Sequence, residues 1–211
     1  ERISDYHILE ISISDEPKDL QEPTYFERIR NTKEFQEFHE EYNRNVFDIK
    51  ANLNRLITES SPIDPDELIK GTAELIASSK NSLHLFDMLH CMREFDDITY
   101  VHSVNVALIA SIIGKWMNYS EEHIRLLIIS GLLHDIGKLM VPEDILFKPA
   151  KLNRDEFDAI KTHVSLGYNI LNDKGLDNQI REACLLHHER SDGSGYPFGL
   201  KSDKIPSTAK L

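Results

Sequence analysis

Six side chains in the second half of this 211-residue chain are of the types that hold divalent metals: His102, His134, Asp135, His163, His187 and His188. Imidazole and carboxylate together make a mixed N/O set suited to first-row ions. Two features of spacing matter. His134-Asp135 lies in the run His134-Asp135-Ile136-Gly137-Lys138, and His187-His188 is followed by Glu189 and a Gly-rich stretch. Neighbouring residues on a helix point about 100° apart. Two adjacent pairs therefore cannot all converge on one ion, and they fit two ions with one carboxylate bridging. Two such ions would draw the proton from an intervening water and neutralise a phosphodiester held for in-line attack. Lys138, one turn from His134, is placed to hold a non-bridging oxygen, or else to answer a helix dipole. The remaining histidines (His7, His39, His84, His90 and His123) read as ordinary surface or core residues.

The bulk of the chain limits what these residues can act on. Net charge is −12 and uneven: residues 1–101 carry 11 Lys/Arg against 22 Asp/Glu, and residues 102–211 carry 13 against 14. The acidic half argues against nucleic-acid binding. The near-neutral half holds the histidines and would turn locally positive with metal, which suits a small phosphate substrate. No apolar run is long enough to span a bilayer, and no signal-peptide pattern opens the chain. Cys91 and Cys184 stand alone, as reduced buried thiols would in a cytoplasmic protein. The start at Glu1 reads as an internal piece of a longer chain.

The elements that must position the site are helical throughout. Residues 1–23 read as the remnant of an upstream domain or a linker. In 24–63 the apolar positions Phe35, Phe38, Tyr42, Val46, Ile49, Leu53 and Leu56 alternate near three and four, the stripe of one long amphipathic helix. That helix either packs on the main domain or serves signalling through a homodimer. Residues 64–211 read as one all-α domain. Its helices begin with Asp64 capping Pro65, then cover Leu83–Phe95 and Thr99–Met117. The next starts at Ser120 and delivers His134-Asp135, with Gly137 and Pro142 marking its end. Asn153 caps a helix running through Leu171, with His163 in its middle, and Leu176–His188 forms the last. Ser191–Gly199 is a loop.

HDIGK, then His163, then HHERSDGSGYP at 187–197, together with VHSVNVALIA at 101–110 and Lys148-Pro149, resemble the HD-GYP subgroup of the HD metal-dependent phosphohydrolases. The resemblance implies an all-α HD-domain helical bundle with an N-terminal helical extension. It implies hydrolysis of a cyclic dinucleotide, chiefly cyclic di-GMP to pGpG or GMP, with cyclic GMP-AMP as an alternative. It implies two divalent ions, Fe or Mn before Zn, Co, Ni or Mg. One ion would take His102, His134 and Asp135; the other would share Asp135 and take His163, His187 and His188. Asp135 and Lys138 would be catalytic. Lys138, Arg190, Asp192, Gly193, Gly195, Tyr196 and Pro197 would bind substrate, and the Gly-Tyr-Pro loop would also meet GGDEF-type or other signalling partners. Two departures stand out. Ile98 occupies the position where members with a third metal place a Glu, so two ions are expected. A further Asp ligand and the closing helices of the domain are expected beyond Leu211. A catalytically silent partner-binding module is the competing reading.

Overall fold

The computed structural model describes residues 23–59, 62–92 and 98–210. These form ten α-helices: α1 Tyr25–Arg30, α2 Lys33–Thr58, α3 Pro65–Ser78, α4 Ser82–Cys91, α5 Ile98–Trp116, α6 Glu121–Leu133, α7 Glu143–Leu146, α8 Arg154–Lys161, α9 His163–Ile170 and α10 Asn178–Leu186. A 3-10 turn over Ile136–Met140 follows α6. Among the described residues no strand forms, and the expected all-α class holds. No described helix is long and apolar enough to cross a membrane. The expected remnant at 1–23 lies almost wholly outside the described residues.

Helix starts follow local chemistry. The Asp64 carboxylate accepts from Asp66 N at the start of α3, with Pro65 at the first position. Ser120 accepts from His123 N at the start of α6. Asn153 and Glu156 form a capping box at the start of α8. Each satisfies an amide that the helix itself leaves unpaired.

The α2 stripe is spent inside the chain. Phe35, Phe38, Tyr42, Ile49, Leu53 and Leu56 are buried and join one apolar core that continues through Leu108 of α5, Leu132 of α6 and Cys184 of α10. Truncating a fully buried leucine such as Leu132 leaves a cavity and typically costs 2–5 kcal/mol. Two polar groups tie α2 down. The Tyr42 hydroxyl donates to Asn105 Oδ1 at 2.8 Å on α5. Asn45, buried, donates to Thr72 Oγ1 at 3.0 Å on α3. The stripe had left packing and signalling open; its apolar residues meet α3 and α5 of the same chain.

The expected single helix from Asn153 through Leu171 is a correction. It breaks at Thr162, whose hydroxyl donates to Ala159 O at 2.6 Å while its N–H bonds to the same carbonyl. His163 therefore begins α9 rather than sitting in mid-helix. Gly137, on the 3-10 turn after Asp135, lies directly against the start of α9. A Cβ there would collide with the His163 carbonyl oxygen and lie 2.6 Å from Gly167 N. Only a glycine lets the turn lie directly on α9, and that approach sets Asp135 beside His163. Likewise α6 ends at Leu133, earlier than Gly137 and Pro142 indicated, because the chain tightens into this turn.

Candidate metal centre

Three of the histidines sit where a helix has just ended. His134 follows the last residue of α6, His187 follows α10, and His163 follows the break after α8. Each folds its ring back on the final turn. His134 Nδ1 lies 2.8 Å from Gly131 O, His163 Nδ1 2.8 Å from Ile160 O, and His187 Nδ1 2.9 Å from Cys184 O. A carbonyl can only accept, so each Nδ1 carries the proton. The helix ends thereby gain donors for orphan carbonyls, and each Nε2 is left with its lone pair turned inward.

Those lone pairs meet one another. His134 Nε2 is 3.3 Å from His102 Nε2, and His163 Nε2 is 3.3 Å from His187 Nε2. Asp135 stands between the two sets, 1% exposed. Its Oδ1 lies 3.3 Å from His163 Nε2 and 3.7 Å from His187 Nε2. Its Oδ2 lies 3.1 Å from His134 Nε2 and 3.5 Å from His102 Nε2. The Lys138 ammonium donates to Oδ2 at 2.7 Å, whereas Oδ1 is buried with no hydrogen-bond partner. A buried acceptor without a donor is costly. Acceptors aimed at each other around a buried carboxylate form a cradle for cations. Asp135, His163, His187 and His188 form one such group, and His102, His134 and Asp135 the other, with ligand atoms within 4.8 Å in each. Asp135 is common to both.

The protonation states fit this use. Burial pushes His102 and His187 down, with neighbouring imidazoles adding to it for His102. Burial, then His187 and His163, push His188 down to about 3. These rings are neutral at neutral pH, the form that ligates metal. Cys184, whose thiol burial pushes up to about 12, is an inert packing residue donating to His134 O at 3.2 Å.

The loop after α10 lies against this centre. Tyr196 stacks on His188 with ring centroids 4.6 Å apart and planes 19° apart, and its N–H bonds His188 O at 3.2 Å. Gly195 has no room for a side chain: a Cβ would sit 2.5 Å from Glu189 Cα. Gly193 adopts φ +80, and Tyr196-Pro197 is cis. Asp192 accepts from Ser194 N at 2.9 Å and Ser194 Oγ at 2.6 Å, which shapes the loop from within. Arg190 is largely exposed, with Nε 3.8 Å from Asp192 Oδ1. Tyr196 and Gly195 thus border the imidazoles, while Asp192 and Gly193 act in the turn. Away from the centre, His84 lies 3.5 Å from Glu34, His90 packs on Phe26 and His123 on Tyr119.

Reading the sequence missed Glu189 as a functional part. It is buried, and its two oxygens accept Phe198 N at 2.6 Å and Leu200 N at 2.7 Å. That carboxylate pulls the far arm of the loop back onto the end of α10. The available signal was an acidic residue standing shortly before a Gly-rich stretch.

A family model described as HD domain matches residues 74–211. The chain is 38% identical over 121 residues to a cyclic di-GMP phosphodiesterase of Pseudomonas aeruginosa, covering 57% of this chain and 29% of that protein. It is 37% identical over 125 residues to a cyclic di-GMP phosphodiesterase of Thermotoga maritima, covering 58% and 34%. It is 38% identical over 113 residues to 3'3'-cGAMP-specific phosphodiesterase 1 of Vibrio cholerae, covering 54% and 26%. The chain thus spans about a third or less of the curated relatives it matches. With its helical bundle, its shared Asp135 and the HHERSDGSGYP segment, this chain belongs to the HD domain family and to its HD-GYP branch.

Proposed function

We propose that this chain is the catalytic part of a metal-dependent phosphodiesterase acting on a cyclic dinucleotide, cyclic di-GMP first, with pGpG and GMP as products. The observation that carries this is the buried carboxylate of Asp135, common to two sets of inward-facing imidazoles. His102, His134 and Asp135 would hold one ion; Asp135, His163, His187 and His188 would hold the other. Divalent ions bound there, Fe or Mn, supply Lewis-acid polarisation of the phosphodiester and ease deprotonation of a water.

The chain's own residues do the rest. The helix-end carbonyls fix the ring orientation of His134, His163 and His187. Lys138 has one of its three donors on Asp135 and can turn another to a non-bridging phosphate oxygen. The loop from Arg190 to Pro197, held by Glu189, presents Tyr196 beside His188 and lines the approach to the phosphate. Cyclic GMP-AMP is the second substrate reading, since relatives named for that activity are also similar to this chain.

Turnover of cyclic di-GMP and cyclic GMP-AMP by the Fe- or Mn-reconstituted protein tests the proposal. Hydrolysis of at least one is expected, together with its loss on combining His134→Ala and Asp135→Ala. Activity surviving that double change sinks the proposal. Metal uptake without turnover of either compound turns the reading to a silent partner-binding module.

A further inference from the structure

Between the Gly-Tyr-Pro loop and α8 lies a cleft of about 570 Å³, within the range of small-ligand pockets. His187 and His188 line it on the metal side, Gly195 and Tyr196 on the loop side, and Phe157 and Lys161 from α8. The α8 side has no role in the chemistry described above, yet its composition calls for one. Phe157 is 49% exposed, a large aromatic face turned to water. The Lys161 ammonium lies 4.8 Å from the Phe157 ring centroid. An i,i+4 pair on a helix surface accounts for that contact alone. It does not account for the second, 5.9 Å from the Tyr196 ring on the opposite side of the cleft. Lys161 thus reaches into the cleft between two aromatic residues. Asp158 Oδ1 takes one of its three donors at 2.6 Å.

A half-exposed ring beside a cation, next to a phosphate-binding centre, matches a nucleotide more closely than a sugar phosphate or a peptide. Bases stack on aromatic faces whatever their identity. Ammonium donors prefer the guanine edge, which offers O6 and N7 as acceptors, over the adenine edge, where a donor replaces O6. We propose that Phe157 and Lys161 form a purine subsite, with the base stacked on Phe157 and Lys161 donating to the O6/N7 edge of guanine. The subsite rests on the reading of the Asp135 centre as the place where a nucleotide phosphate binds. It goes beyond that reading by assigning base recognition to α8.

Calorimetric titration of the Mn-loaded 211-residue chain with GMP, AMP and ribose 5-phosphate tests it. GMP should bind more tightly than AMP, and both more tightly than ribose 5-phosphate. Phe157→Ala, at an exposed position that leaves the fold alone, should weaken GMP on the order of 10-fold, from the usual worth of one stacked base, with ribose 5-phosphate unchanged. Lys161→Met should erase the GMP-over-AMP preference. GMP binding no tighter than ribose 5-phosphate, or unmoved by Phe157→Ala, overturns the subsite. Hydrolysis of cyclic di-GMP, followed in parallel, separates the two ideas. Turnover with an unchanged KM in Phe157→Ala discards the subsite and keeps the phosphodiesterase. Loss of GMP binding in that variant of a chain that hydrolyses no cyclic dinucleotide discards the phosphodiesterase and keeps the subsite.

Discussion

Two buried polar clusters in this molecule invite comparison. Between α2 and α3, Asn45 and Thr72 are both buried and answer each other at 3.0 Å. Between α5, α6, α9 and α10, Asp135 and His163 are equally buried, yet the Asp135 Oδ1 atom has no donor and faces lone pairs. The first cluster pairs donor with acceptor and needs nothing more. The second gathers acceptors and is complete only with cations. Burial alone does not separate structure from function; the balance of donors and acceptors does.

The largest effect should come from Asp135→Asn. It removes the shared oxygen charge, and affinity for both ions should drop further than the roughly 10- to 100-fold that supporting residues outside the ligand set typically control. The metal-free protein should melt no lower than the wild type, because the substitution discards a buried charge that lacks full compensation. Calorimetric metal titration and a melt with chelator read the two halves of this outcome. A large fall in metal-free melting temperature would mean Asp135 is structural, like Asn45.

Thr72→Val probes the other cluster. It leaves the Asn45 amide buried without its acceptor and should destabilise by about 1–3 kcal/mol, measured by denaturant unfolding. Metal affinity should stay at the wild-type value.

Glu189→Gln should act on the loop alone. A neutral amide can still accept one backbone bond but replaces the other acceptor with a donor facing Leu200 N or Phe198 N. Substrate KM should rise several-fold, within the 1.5–3 kcal/mol worth of a hydrogen bond to a charged group, while metal affinity holds. Rescue by Glu189→Asp would be partial at best, given the shorter reach. An unchanged KM would show that the loop holds Tyr196 without Glu189.

A smaller, pH-linked difference should also separate the clusters. His188 is held down to about 3 from 6.5. Below pH 6.5 the unfolded chain takes up a proton that the folded chain refuses. Metal-free stability should therefore fall as pH drops from 6.5 toward 3, and bound metal, which needs the same neutral imidazole, should not flatten the fall. The Thr72→Val deficit involves no titrating group and should stay constant over the same range. Thermal melts at several pH values, with chelator and with Mn, measure both.

The parts legible in the sequence were those set by neighbours a few residues apart. The Asp64-Pro65, Ser120 and Asn153 starts are signals within one turn, and each marked a real helix. The doublets His134-Asp135 and His187-His188 pointed to metal chemistry because the two pairs together cannot converge on one ion; in the structure each doublet stands where its helix has just ended, and its two members fall in one group. What escaped depends on distant approach. The approach of Gly137 to the start of α9, 26 residues along the chain at His163, leaves no local signal. Asn45 sat unremarked within the apolar stripe of α2, and its role needs Thr72 on another helix. Glu189 and Phe157 gain meaning only once the loop and α8 face each other across the cleft.

The central claim is that Asp135 joins two ion-binding sets. Metal stoichiometry of Mn-loaded protein after desalting, measured by elemental analysis, tests it most directly. The account predicts two ions per wild-type chain, loss of one in His102→Ala, loss of the other in His188→Ala, and neither retained in Asp135→Asn. One ion per wild-type chain, or two retained by Asp135→Asn, would contradict it.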